Sequence, residues 1–167
     1  MRCHRPSSRW GNSPMSRLWD KGVDLDQRVL AFTAGDDYAL DERLVKYDVR
    51  ASIAHAEMLN AQKLLADADL LAIRNGLEAI GAEHAAGQWK IELADEDGQT
   101  ALEKRLTARI GAAGGRVHLG RSRNDQVLTA IRLYLLDAAR EIAAAAENCA
   151  AAQDSAAAAS SRAASSR

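Results

Sequence analysis

Across residues 40–142 the apolar residues recur three and four positions apart, and that spacing confines the chain to helices. Leu40, Leu44, Tyr47, Ala51, Ala54 and Met58 share one helical face, which predicts a helix over 40–62. Asp41 and Glu42 fall in its first turn, where the helix dipole favours acids. Leu70, Ile73, Leu77, Ile80 and His84 repeat the spacing over 67–86, and Gly87 is a natural stop. Thr100-Ala-Leu-Glu103 has the form of a capping box, opening a short helix stacked on Leu102, Leu106 and Ile110. Gly111, Gly114 and Gly115 end that helix. Val127, Ile131, Tyr134, Leu135, Ala138 and Ile142 form the face of a last helix, capped by Ser122 or Asn124. Trp89, Ile91 and Leu93 alternate, but no second strand exists to pair with them, so they predict a packed loop. Aromatic residues make up only 4%, with one Phe, so the core is aliphatic and suits helices better than sheets. The fold class is all-α.

A length of 167 residues suffices for one domain with a core, not for two large ones. Residues 1–17 read as a basic, unpatterned leader: four arginines and no acid before Asp20. Such a stretch weakly resembles a transit peptide, but a start at Met15, with residues 1–14 as read-through, accounts for it better. Residues 18–121 read as a helical domain and 122–145 as the start of a further helix. Residues 146–167 are nearly all Ala and Ser and offer no large side chain to bury, which predicts a disordered or out-of-frame tail. The face of the last helix has nothing after it to cover it. That implies a missing C-terminal part or an oligomer partner. A net charge of −1 speaks against a general nucleic-acid binder, and no apolar run approaches membrane length. Cys3 and Cys149 form no metal or disulfide pattern, and no His, Cys or acid cluster has metal-ligand spacing.

Chemistry concentrates in His118-Leu-Gly-Arg-Ser-Arg-Asn-Asp-Gln126. Gly114, Gly115 and Gly120 permit close backbone approach, and a helix begins at the cluster's end. Helix N-termini bind anions, and Arg is suited to planar carboxylate or phosphate recognition. Arg121, Arg123 and Asn124 therefore suit a small carboxylate or phosphate. A solvated, capped turn explains the same composition, and the residues alone leave both readings open. An RNA-binding loop lacks its stacking aromatics. His118 is either a general base or a structural histidine. His55 and His84 lie on helices and read as packing or surface residues. Asp95, Glu96 and Asp97 read either as a solvated run before a helix or as a substrate-facing loop. Cys149 has no activating neighbour.

The segment from Gly114 to Gln126 closely resembles the signature loop of the argininosuccinate lyases, in the aspartase/fumarase superfamily. Leu18-Trp-Asp-Lys-Gly22, Tyr47-Asp48 with Ser52-Ile-Ala-His-Ala56, and Glu103 to Gly111 match the family around it. The resemblance covers about residues 16–142. It implies a small helical N-terminal domain plus the start of a long central-bundle helix, truncated here, in a cytoplasmic homotetramer. It implies argininosuccinate, arginine and fumarate as ligands, no cofactor and no metal. Arg123 and Asn124 match the positions that hold substrate. His118, Arg121, Ser122, Asp125 and Gln126 match those that shape the loop.

Three single positions depart from the family. Gly35 stands where a Ser often touches substrate, Gln99 where many members carry an active-site His, and Leu119 where Thr is common. Gln99 remains a candidate lining residue. The family's later Thr-His and Gly-Ser-Ser segments have no counterpart, and nothing past Ala143 reads as family sequence. No catalytic base or acid is therefore expected here, nor turnover by the chain alone. Rival readings are another fumarate-releasing lyase of the superfamily, a non-catalytic helical protein of crystallin type, and the unfolded product of a broken gene.

Overall fold

The computed structural model describes the backbone of residues 27–165 and the side chains of residues 28–155. The basic leader over 1–17 and the Leu18 to Gly22 match lie outside the described residues. The elements are α1 (Gln27–Ala34), α2 (Asp37–Leu40), α3 (Val45–Ala61), α4 (Asp67–Ala85), α5 (Gly98–Ile110) and α6 (Arg123–Ser165). Tight 3-10 turns occupy Asp41–Arg43, Leu93–Asp95 and Gly111–His118, and no strand occurs among the described residues. The chain is all-α as the spacing predicts, and no described helix is long and apolar enough to cross a membrane.

The core forms where α3, α4 and α5 meet. Leu59, Ile73, Leu77, Ile80 and Leu106 are its largest fully buried apolar side chains. Trp89 and Ile91 are buried against them in the irregular α4–α5 connection, so the alternating stretch is a packed loop. Trp89 Nε1 donates to the Ile80 carbonyl at 3.0 Å, and the Arg105 guanidinium covers its ring at 4.2 Å. A buried indole needs both an apolar bed and a partner for its N–H, and here it has each.

Four expectations need correcting. The helix predicted over 40–62 is interrupted: α2 ends at Leu40 and a 3-10 turn separates it from α3. The acids of that turn act as tethers across the fold. Asp41 accepts from the Gly98 N–H at 2.8 Å, while Glu42 accepts from the Ile91 N–H and from His84. The capping box at Thr100 is absent. Asp97 caps α5, accepting from the Thr100 N–H at 2.8 Å, and Glu103 is left free to reach His118.

The inward row of α6 also differs from the predicted face. Gln126 and Ala130 are buried, whereas Leu135 and Ile142 remain exposed with Leu128 and Leu136. A polar partner on α3 draws Gln126 inward and sets the rotation of the helix. Finally, the tail read as disordered from 146 continues α6 to Ser165. No Gly or Pro follows Gly120, and alanine has the highest helix propensity, so the backbone has a reason to persist without tertiary cover. Every described side chain from 139 to 155 is exposed. The helix thus projects beyond the body it packs on.

Candidate functional site

The polar loop is held from below by a buried network centred on Asp48 of α3. Asp48 is 4% exposed. Gln126 Nε2 lies 2.7 and 2.8 Å from its two carboxylate oxygens, and Ser52 Oγ donates to it at 3.0 Å. Arg121 donates in turn to Ser52 Oγ at 2.9 Å. Burial pushes the Asp48 carboxyl above its ordinary range, and the bonds from Gln126 and Ser52 pull the other way. Arg121, largely buried beside it, is pushed down by desolvation. Arg121 Nε and Gln126 Oε1 are buried without a partner among the described residues.

Two histidines fix the loop's entry. His118 Nε2 meets Glu103 of α5 at 2.7 Å, and His55 Nε2 of α3 donates to the Leu119 carbonyl at 2.8 Å. Burial pushes the His55 pKa down. A carboxylate partner of this kind orients an imidazole whether it is structural or a general base, so both readings of His118 fit the pairing. Leu119 is held through its backbone, so Thr or Leu there leaves the contact intact. Gly120 then turns the chain at φ 73°, a conformation few side chains tolerate.

The loop's exit is a capping box. Ser122 Oγ takes the Asp125 N–H at 3.3 Å, and the Asp125 carboxylate accepts from the Ser122 N–H at 2.8 Å. The Ser122 N–H and the Ser122 hydroxyl, both donating to it, hold the Asp125 carboxyl below its usual range. Of the two caps predicted, Ser122 is the one used. Asn124 is exposed on the first turn and makes no side-chain hydrogen bond among the described residues. Arg123 is spoken for: it donates to Asp97 at 2.7 Å and to Thr100 Oγ1 at 2.9 Å. Asp97 thus caps α5 with one oxygen and holds the loop arginine with the other.

The structure therefore brings His118, Arg121, Ser122, Arg123, Asn124, Asp125 and Gln126 to the junction of α3, α5 and α6. Gln99 lies close by. It is 4% exposed and lines, with Asp41 and Asp48, a cavity of about 10 Å³. Gly35 closes α1 through its N–H to Ala31 and makes no hydrogen bond to the loop. Sequence reasoning missed Asp97, Thr100 and Glu103 as loop partners. Asp97 carried a signal: an acid three residues before Thr100, ahead of an apolar row, is a cap pattern.

A family model described as lyase matches residues 22–162. The chain belongs to the lyase family. That match runs beyond Ala143, where the sequence reading ended the likeness. This lyase chain is 50% identical over 127 residues to the argininosuccinate lyase of Sorangium cellulosum, covering 76% of the chain and 30% of that protein. It is 56% identical over 125 residues to that of Methylococcus capsulatus, covering 74% and 26%. It is 42% identical over 126 residues to that of Thermotoga neapolitana, covering 75% and 32%. The lyase chain thus spans about a third or less of the length of these relatives.

Proposed function

We propose that this lyase chain is the N-terminal part of an argininosuccinate lyase, working in the cytoplasm as part of a homotetramer. The reaction is the reversible elimination of fumarate from argininosuccinate. A base removes the proton beside a succinyl carboxylate, the electron pair forms the new C=C bond, and the C–N bond breaks. The guanidinium nitrogen leaves as arginine after taking up a proton. Negative charge builds on the carboxylate as the proton departs, so catalysis needs fixed cations and donors around it. Arg123 and Asn124 supply these at the start of α6, where free helix N–H groups add to the field. His118, Arg121, Ser122, Asp125 and Gln126 keep the loop in shape, and Gln99 lines its base. The base and acid come from segments outside this chain, and no cofactor is needed.

The observation that carries this reading is the loop itself. Two arginines sit at a helix start, Arg121 braced from α3 by Ser52 and Arg123 from α5 by Asp97. The experiment is complementation. The chain is mixed and refolded with a full-length argininosuccinate lyase whose own loop arginine is replaced by alanine, and fumarate release is followed. Neither partner alone turns over; the mixture does, and the chain carrying Arg123→Ala does not rescue. Failure of the unaltered chain to rescue, together with no thermal stabilisation by argininosuccinate, overturns the reading.

A further inference from the structure

A cleft of about 420 Å³ opens between α3, α4 and α6, and no residue of the polar loop lines it. Gly81, Ala85 and Ala138 line it together with the rings of Tyr47 and Tyr134. The edge-to-face pair of Tyr47 and Tyr134 joins the α3 wall to the α6 wall, with ring centroids 5.8 Å apart. Charges of both signs line the walls. Glu42 and His84 satisfy each other at 2.7 Å. Arg43, on the turn before α3, and Glu141, on α6, have no hydrogen bond or close ion pair among the described residues. Lys46 lies over the Tyr47 ring at 4.7 Å.

A concave site of this size, mostly apolar with a few charges of fixed sign, has the form of small-molecule pockets. Its charges select the occupant. A simple anion meets Glu141, and a simple cation meets Arg43 and Lys46. A molecule with a carboxylate at one end and a cationic head at the other satisfies both walls, and its aliphatic stem lies on the alanine surface. We propose that this cleft binds a small zwitterion of the basic amino-acid class, its carboxylate on Arg43 and Lys46 and its cationic head on Glu141 beside Tyr134. The site is separate from the loop and does not depend on the reading of the loop. Its α6 wall belongs to the helix that carries Gln126 and Arg123, so an occupant bears on the element that positions them.

The test is a titration of the full chain, followed by amide NMR, with L-arginine, L-lysine, agmatine (no carboxylate) and L-norleucine (no cationic head). The expected result is shifts at Gly81, Ala85 and Ala138 with the two basic amino acids. Agmatine and norleucine bind at least about fivefold more weakly. Arg43→Gln lowers arginine affinity towards the agmatine level, and Glu141→Gln lowers it to the norleucine level, both read from the shifts at Gly81, Ala85 and Ala138. Both cleft residues are exposed, so the variants keep the fold, and a thermal melt verifies this. The proposal is overturned by shifts confined to the loop, by equal binding of all four probes, or by indifference to both cleft variants. Absence of any titration, as when another stretch of polypeptide fills the cleft, overturns it as well.

Discussion

Gln126 and Asp48 are 78 positions apart, yet one amide nitrogen of the first bridges both carboxylate oxygens of the second. Each is almost wholly buried. This bridge fixes α6 on α3 and sets where the loop before α6 must lie. Gln126→Leu leaves Asp48 buried without its main donor. The expected cost is about 2–3 kcal/mol, the range for a lost hydrogen bond to a buried charge. Gln126→Glu sets two carboxyls face to face and is worse at neutral pH, but recovers in acid as one of them takes a proton. Urea unfolding at two pH values checks both. A neutral-pH stability of Gln126→Glu equal to that of the unaltered chain contradicts the bridge.

Asp41 gives a pH-dependence of definite sign. Burial raises its folded pKa above 3.8 despite the bond from the Gly98 N–H. Between the unfolded and folded values the native state therefore holds more protons. The stabilisation this brings is present in acid and lost as pH rises through the folded pKa. Asparagine keeps an acceptor for Gly98 and has nothing to titrate. Asp41→Asn is thus expected to gain on the unaltered chain as pH rises from 4 towards neutrality. Asp125 behaves in the opposite sense, since its folded pKa is lowered: its contribution is present above 3.8 and lost in acid. Denaturation midpoints across pH read both, and a reversed trend for Asp41→Asn rules out the burial account.

Two adjacent glycines separate close packing from free space. A Cβ built on Gly114 lies 2.7 Å from the Thr107 Cα and N, so backbone must move to admit it. Gly115 has nothing within 4 Å and no positive φ. Gly114→Ala is expected to cost about 1–3 kcal/mol through overpacking. Gly115→Ala should be neutral, or stabilising by up to about 1 kcal/mol through lower unfolded-state entropy. Thermal melts of the pair decide it.

These contrasts explain how far the sequence could be read. The limits of α4 were legible to within a residue because Leu70, Ile73, Leu77 and Ile80 bury one continuous stripe. The break before α3 was not, because periodicity records which face is apolar and says nothing of Asp41 and Glu42 bonding residues 57 and 49 positions away. The α6 face was misjudged for the same reason. Leu135 and Ile142 look inward on hydropathy, but the buried carboxylate of Asp48 draws a glutamine in. In the candidate site, the loop was legible as a run of special residues. Its partners Asp97, Thr100 and Glu103 come from another helix, and only the fold brings them near.

Arg123 separates binding from stability. Its bonds to Asp97 and Thr100 are solvent-exposed, so Arg123→Ala should cost less than about 1 kcal/mol of folding stability. Its guanidinium is nevertheless exposed, and a carboxylate that binds it has to share it with Asp97 or displace Asp97. Asp97→Asn keeps an oxygen for the α5 cap and removes the competing charge, so it should leave the melt nearly unchanged while altering affinity for a dicarboxylate. Titration with argininosuccinate, alongside a urea melt, reads both quantities on the same samples. A large loss of stability in Arg123→Ala with ligand binding retained would place the residue in the architecture of α5 and α6 and take it out of the site.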